Sequence, residues 1–138
     1  MYRRDYVLRL IERLGMALIA LRNRLLQRKG DQPLAMAELG DIAREAGLDL
    51  DVARQLDPAM LLMWLSPTGE LDPARDWLLA ELLYLSGLQS ESANPSSGSG
   101  DFRRALALFS RIPPEWHPPG ELAAAGERIA ELRERLAE

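Results

Sequence analysis

Val7-Leu8-Arg9-Leu10-Ile11-Glu12-Arg13-Leu14-Gly15-Met16-Ala17-Leu18-Ile19-Ala20-Leu21-Arg22-Asn23-Arg24-Leu25-Leu26 is the stretch that decides the fold class. Val7, Ile11, Leu14, Leu18, Leu21 and Leu25 recur at alternating spacings of four and three, which gathers them on one face of an α-helix. Leu10, Met16, Ile19 and Leu26 widen that stripe, as expected for a helix that touches more than one neighbour. Asp5 offers a cap, Arg28 and Lys29 suit the negative end of the dipole, and Gly30 supplies a stop. The predicted helix is 5–29. Its two apolar rows are more than the short helices downstream are expected to cover. The seam Val7, Ile11, Leu14, Leu18, Leu21 and Leu25 is therefore the candidate interaction surface, and a homodimer built on this helix is the simplest way to bury it. The competing expectation is that the second row packs on the final helix, whose Leu122, Ile129, Leu132 and Leu136 form a matching face.

Downstream, start and stop signals repeat. Asp31 and Pro33 open a second helix that ends at Ala46 before Gly47, and Asp49 or Asp51 starts a short third through Leu56. Asp57-Pro58 opens a fourth whose Met60 to Leu65 are apolar on every side, which predicts the central buried helix. Ser66-Pro67-Thr68-Gly69 is a turn, and Asp72-Pro73 starts a fifth helix through about Ser90. Ser92 to Gly100 has the composition of a flexible, dispensable loop. A sixth helix, Asp101 to Ile112, stops at Pro113-Pro114, and a seventh spans 120–137 with Glu and Arg on its outer face. The expected core gathers Leu61, Leu62, Trp64, Leu65, Leu78, Leu82, Ala105 and Phe109. An all-α bundle of about seven helices in a single domain, 1–138, follows.

Composition agrees. The chain has 138 residues, enough for one core, and Leu, Ala, Glu and Arg dominate over β-branched residues. No cysteine is present, so disulfides and thiolate metal sites are excluded and a reducing, cytoplasmic setting is expected. No signal peptide is read, and no apolar run reaches the roughly 20 residues of a spanning helix. Residues 1–30 carry eight basic and two acidic side chains, a sum of +6, while the rest of the chain sums to -10. A basic helix packed beside acidic ones in the same fold is the expected outcome.

Gly100-Asp101-Phe102-Arg103-Arg104-Ala105-Leu106, with Phe109 four residues after Ala105, resembles the second helix of a tetratricopeptide repeat, and Trp77, Ala80 and Tyr84 lie at the spacing of its first helix. Glu81 stands where that motif has glycine, and the connection between the helices is longer than the repeat's. The resemblance covers about residues 73–117 and implies a hairpin over 73–112 with Ala105 at the crossing. The whole chain is also similar to a family of small uncharacterised bacterial helical proteins. That resemblance lies in Met1-Tyr2, Asp5-Tyr6, Ile11-Glu12, Gly47-Leu48-Asp49-Leu50, Gly69-Glu70-Leu71-Asp72 and Leu79-Ala80-Glu81-Leu82-Leu83. It implies a fold and no catalytic residue.

Motifs that carry chemistry are scarce. Residues 38–56, with Ala43, Gly47 and Leu56, have the spacing of a DNA-reading helix-turn-helix, but Asp49 and Asp51 head the recognition helix and only Arg54 and Gln55 could reach bases. Nucleic acid is an unfavoured partner on that ground. The arginines of the first helix are interrupted by Asp5 and Glu12, which disfavours a membrane surface. His117 has no nucleophile or carboxylate motif beside it, and a lone histidine cannot build a di-metal bundle. The Ser and Gly loop before Asp101 lacks the Lys of a phosphate-binding loop. No catalytic, metal, cofactor or small-molecule site is expected. The expected function is non-catalytic interaction with another protein or with a second copy. A helix-turn-helix regulator and an enzyme without a recognisable motif are the alternatives.

Overall fold

A computed structural model describes residues 2–27, 33–94 and 96–137, with side chains at 6–27, 36–91, 94 and 96–137. It contains α1 (Tyr2–Gln27), α2 (Pro33–Glu45), α3 (Leu50–Gln55), α4 (Pro58–Leu65), α5 (Pro73–Ala93), α6 (Ser99–Ser110) and α7 (Ala125–Ala137) and, among the described residues, no strand. α1 begins at Tyr2, so Asp5 lies inside the helix and does not cap it as expected, because the chain is already helical three residues earlier. The expected stop at Arg28, Lys29 and Gly30 lies outside the described residues. Three Asp caps form as their sequence positions require: Asp49 accepts from the Val52 N–H, Asp57 from Met60 and Asp72 from Arg75. Gly47 ends the α2 turn at a φ of +75°, where a side chain would be strained.

α5 is the central helix, and every residue from 76 to 88 is buried. It packs against α1, α2, α3 and α6, while α6 also carries α4 and α7. α4 is not the central helix that its composition predicts. Only Leu61 and Leu65 of α4 are buried, and Trp64, expected in the core, is largely outside it. A helix of eight residues has too little length to line several neighbours, whereas the 21 residues of α5 do so by carrying polar side chains inside. Leu61, Leu65, Leu78, Leu82, Ala105 and Phe109 are buried as expected, and Leu62 is half-buried.

α5 and α6 form an antiparallel hairpin closed by a tight turn. The turn differs from the expected flexible loop. α5 runs on to Ala93, Ser97 Oγ donates to the carbonyls of Ser90 (2.6 Å) and Asn94 (2.8 Å), and Gly98 is buried. A Cβ on Gly98 would stand 2.6 Å from the Gly87 carbonyl oxygen, so the two backbones meet there. α6 accordingly starts at Ser99, and Asp101, the expected helix start, is instead a buried residue of its first turn.

The last helix starts at Ala125, five residues later than expected. Gly120, at a φ of +67°, turns the chain, and the Trp77 indole N–H donates to the Ala123 carbonyl at 3.0 Å, pinning the non-helical approach to α5. Glu127 accepts from the Ala124 N–H at 3.2 Å, the glutamate half of a capping box, which supports the new start.

Candidate functional site

The seam on α1 faces inward. Val7, Ile11, Leu18, Leu21 and Leu25 are each 2 % exposed or less, and Leu14 is partly buried against the same core. None of the five can meet a second chain, which corrects the expectation that they form the interaction surface. The physical reason is that α5, apolar over most of its circumference, offers α1 a full partner within the same chain.

The second row divides. Leu10 is buried, while Met16 is 79 % exposed and Ile19 and Leu26 are also exposed. Met16 and Ile19 border a shallow groove of about 410 Å³ whose opposite lip is Pro119 to Leu122. Met16 and Ile19 therefore face the segment 119–122 without being covered by it, while Leu26 borders a second hollow with Arg128, Glu131, Glu134 and Arg135 of α7. Leu122 does reach α1, but at Gly15.

A second apolar surface lies on α4. Met60 (51 % exposed), Met63 (66 %) and Trp64 (38 %) are spaced i, i+3, i+4 and share one face, with exposed Ala59 beside them. The buried side chains of α4, Leu61 and Leu65, are on the other side. Trp64 also borders a cleft of about 350 Å³ with Arg44, Asp49, Leu50 and Asp51. Sequence reasoning missed this surface because an all-apolar segment signals burial. Its brevity, bounded by Asp57-Pro58 and Ser66-Pro67, was the available sign that one side would be left over.

Polar side chains inside the protein are tied to one another. Glu81, 2 % exposed, takes two hydrogen bonds of 3.0 Å from Arg128, which also reaches Glu131. Glu131 further accepts from Arg22 and from the Tyr84 hydroxyl at 2.9 Å, and the Arg22 guanidinium lies 4.5 Å above the Tyr84 ring. Burial opposes the Arg128 charge, yet Glu81 and Glu131 outweigh it and hold the guanidinium above its ordinary pKa. Burial raises the Tyr84 phenol, against the pull of Arg22 and with the push of Glu131. Asp76 accepts both arms of the Arg111 fork at 2.8 and 2.9 Å, and burial still leaves its carboxyl raised. Asp101 accepts from Ser86 (2.7 Å), Arg54 (3.2 Å) and Arg104 (3.1 Å). Each of these buried acids is held by at least one arginine fork or ion pair, an arrangement suited to fixing helix positions.

Arg54, one of two base-reaching candidates in the helix-turn-helix reading, is turned inward to Asp101 and Ser90, and only Gln55 remains exposed. His117 is exposed on the linker. Among the described residues no group of three or more His, Asp or Glu is placed to hold a metal ion, and no helix is long and apolar enough to cross a membrane. Comparison of the chain with protein-family models, with curated proteins and with solved structures finds no match, so the exposed helix faces and the arginine-paired buried acids are the grounds for a functional reading.

Proposed function

We propose that this protein is a non-catalytic interaction or scaffold protein that binds another protein through a helix face, and that the face is the outer side of α4. The observation that carries the proposal is the contiguous exposure of Met60, Met63 and Trp64 on a helix with no polar side of its own. Monomeric proteins seldom leave such a patch without a use, and Met and Trp are enriched where partners dock. The pairing of the buried acids Asp76, Glu81 and Asp101 with arginines favours a structural role for them over catalysis. The engagement of Arg54 with Asp101 weighs against the DNA-binding alternative. The α5–α6 pair would serve as a tetratricopeptide-like hairpin that carries α4 on its α6 side. The test is a photo-crosslinking amino acid placed at Met63 and, as a control, at exposed Ala130, followed by irradiation in the source cells. A discrete adduct from position 63 is expected; equal labelling at both positions, or none at 63, would sink the proposal.

Self-association is a second reading, favoured by the open row of Met16, Ile19 and Leu26. It moves the proposed homodimer contact from the buried seam to the outer side of α1. Sedimentation equilibrium of the wild type and of Met16→Glu with Ile19→Glu should show a dimer that the double variant breaks without unfolding. A wild-type monomer at micromolar concentration removes this reading. Leu18→Glu with Leu21→Glu would instead unfold the chain, because both side chains are core.

A further inference from the structure

The α4 face has a charge pattern as well as an apolar one. Asp57 stands at its N-terminal end, its carboxylate 2.8 Å from the Met60 nitrogen. Asp49 and Asp51 share the walls of the cleft beside Trp64, near the other end. The eight residues of α4 span about 12 Å, with Asp57 before the first of them and the cleft acids beside Trp64 near the last. All three are exposed and, among the described residues, none forms an ion pair. The exposed acids of neighbouring α2 are by contrast paired: Glu38 with Arg24, Asp41 with Arg44 and Glu45 with Arg13. Arg44 also lines the cleft, but its charge is taken by Asp41.

We propose that the α4 face docks a basic amphipathic helix of another protein. Its aliphatic side chains would lie on Met60, Met63 and Trp64, and Lys or Arg at either end of its stripe would meet Asp57 on one side and Asp49 with Asp51 on the other. The inference rests on the interaction reading above and adds the chemistry of the partner. Charge complementarity selects this occupant. An anionic membrane would face three carboxylates, and so would a nucleic acid. A second copy pairing through the same face would set these acids against their own equivalents. Flexible methionine side chains adapt to a helix laid across them, and flanking charges then set orientation and specificity.

The test uses the full chain and three labelled helical peptides with one shared Leu and Ile stripe, flanked by Lys, by Gln or by Glu, followed by fluorescence anisotropy. The Lys peptide is expected to bind about tenfold tighter than the Gln peptide, a difference of about 1.4 kcal/mol, with the Glu peptide weakest. The preference should shrink in about 0.5 M salt, where screening reaches only a few ångströms. Asp49→Asn, Asp51→Asn and Asp57→Asn together should erase the preference while keeping the helix caps, since Asn caps as well as Asp. Met60→Ser with Met63→Ser should abolish binding of every peptide. Equal affinity for all three peptides overturns the charge assignment and leaves the interaction reading standing. So does failure of the Lys peptide to bind while the Met63 adduct still forms. Lys-peptide binding that survives Met60→Ser with Met63→Ser puts the contact elsewhere and overturns both. A dimer broken by those two substitutions would name a second copy as the occupant and overturn the proposed partner.

Discussion

Glu81 and Arg128 show what a buried charge does when its partner is fixed. Removing the arginine alone would leave a carboxylate without water or countercharge, so Arg128→Met is expected to lose about 3–5 kcal/mol. Glu81→Leu combined with Arg128→Met removes both desolvation terms and is expected to recover most of that loss; urea denaturation of the two variants checks it. Tyr84 gives a pH prediction. Its phenol is held above the ordinary value of 10.0, so the protonated form contributes stability that is fully present below that pH and is lost as pH rises through the folded-state value. Tyr84→Phe should therefore flatten the alkaline fall in stability above about pH 10, at a cost of about 1 kcal/mol at neutral pH for the lost bond to Glu131. Equal alkaline slopes for the two proteins would show that Tyr84 does not set this dependence.

Among the elements, α5 explains why part of the fold was legible and part was not. Caps, proline starts and heptad spacing are local, so the sequence locates the helices well. Which helix lies at the centre is not local. Asp76, Glu81 and Ser86 are of residue types seldom buried without partners, and the partners that allow them inside, Arg111, Arg128 and Asp101, come from residues 15 to 47 positions away. The α4 face was illegible for the complementary reason, since nothing in an apolar octet says which half stays uncovered. On α1 the sequence listed the right residues but could not choose the row that faces solvent, because the partner that buries the seam, α5, is distant in sequence. Gly87 and Gly98 were also missed. Ala105 is buried, but the closest approach described for the hairpin lies at these glycines, and an added Cβ on Gly87 would stand 2.5 Å from the Phe102 ring. Gly98→Ala opposes backbone and should cost more than Gly87→Ala, which opposes a side chain; overpacking of this kind costs about 1–3 kcal/mol. Melting temperatures in the reverse order would contradict this packing.

For the whole molecule, the opposed charges of the two parts of the chain meet in the fold. Arg13 and Arg24 of α1 pair with Glu45 and Glu38 of α2, and Arg22 with Glu131 of α7. The first two pairs are exposed and contribute little to stability, so they bear on how helices align more than on whether they fold. The burial of α5 also sets a hierarchy in time. Its amides sit under four other helices and can reach solvent only when the whole structure opens, whereas those of α4 need only a short helix to lift. Native-state hydrogen exchange should place residues 76–88 in the slowest class, at the free energy of global unfolding, and residues 58–65 well below it. Exchange of α5 as fast as α4 would contradict that order. A surface that opens separately from its core can reshape itself around a bound helix while the rest of the protein stays folded.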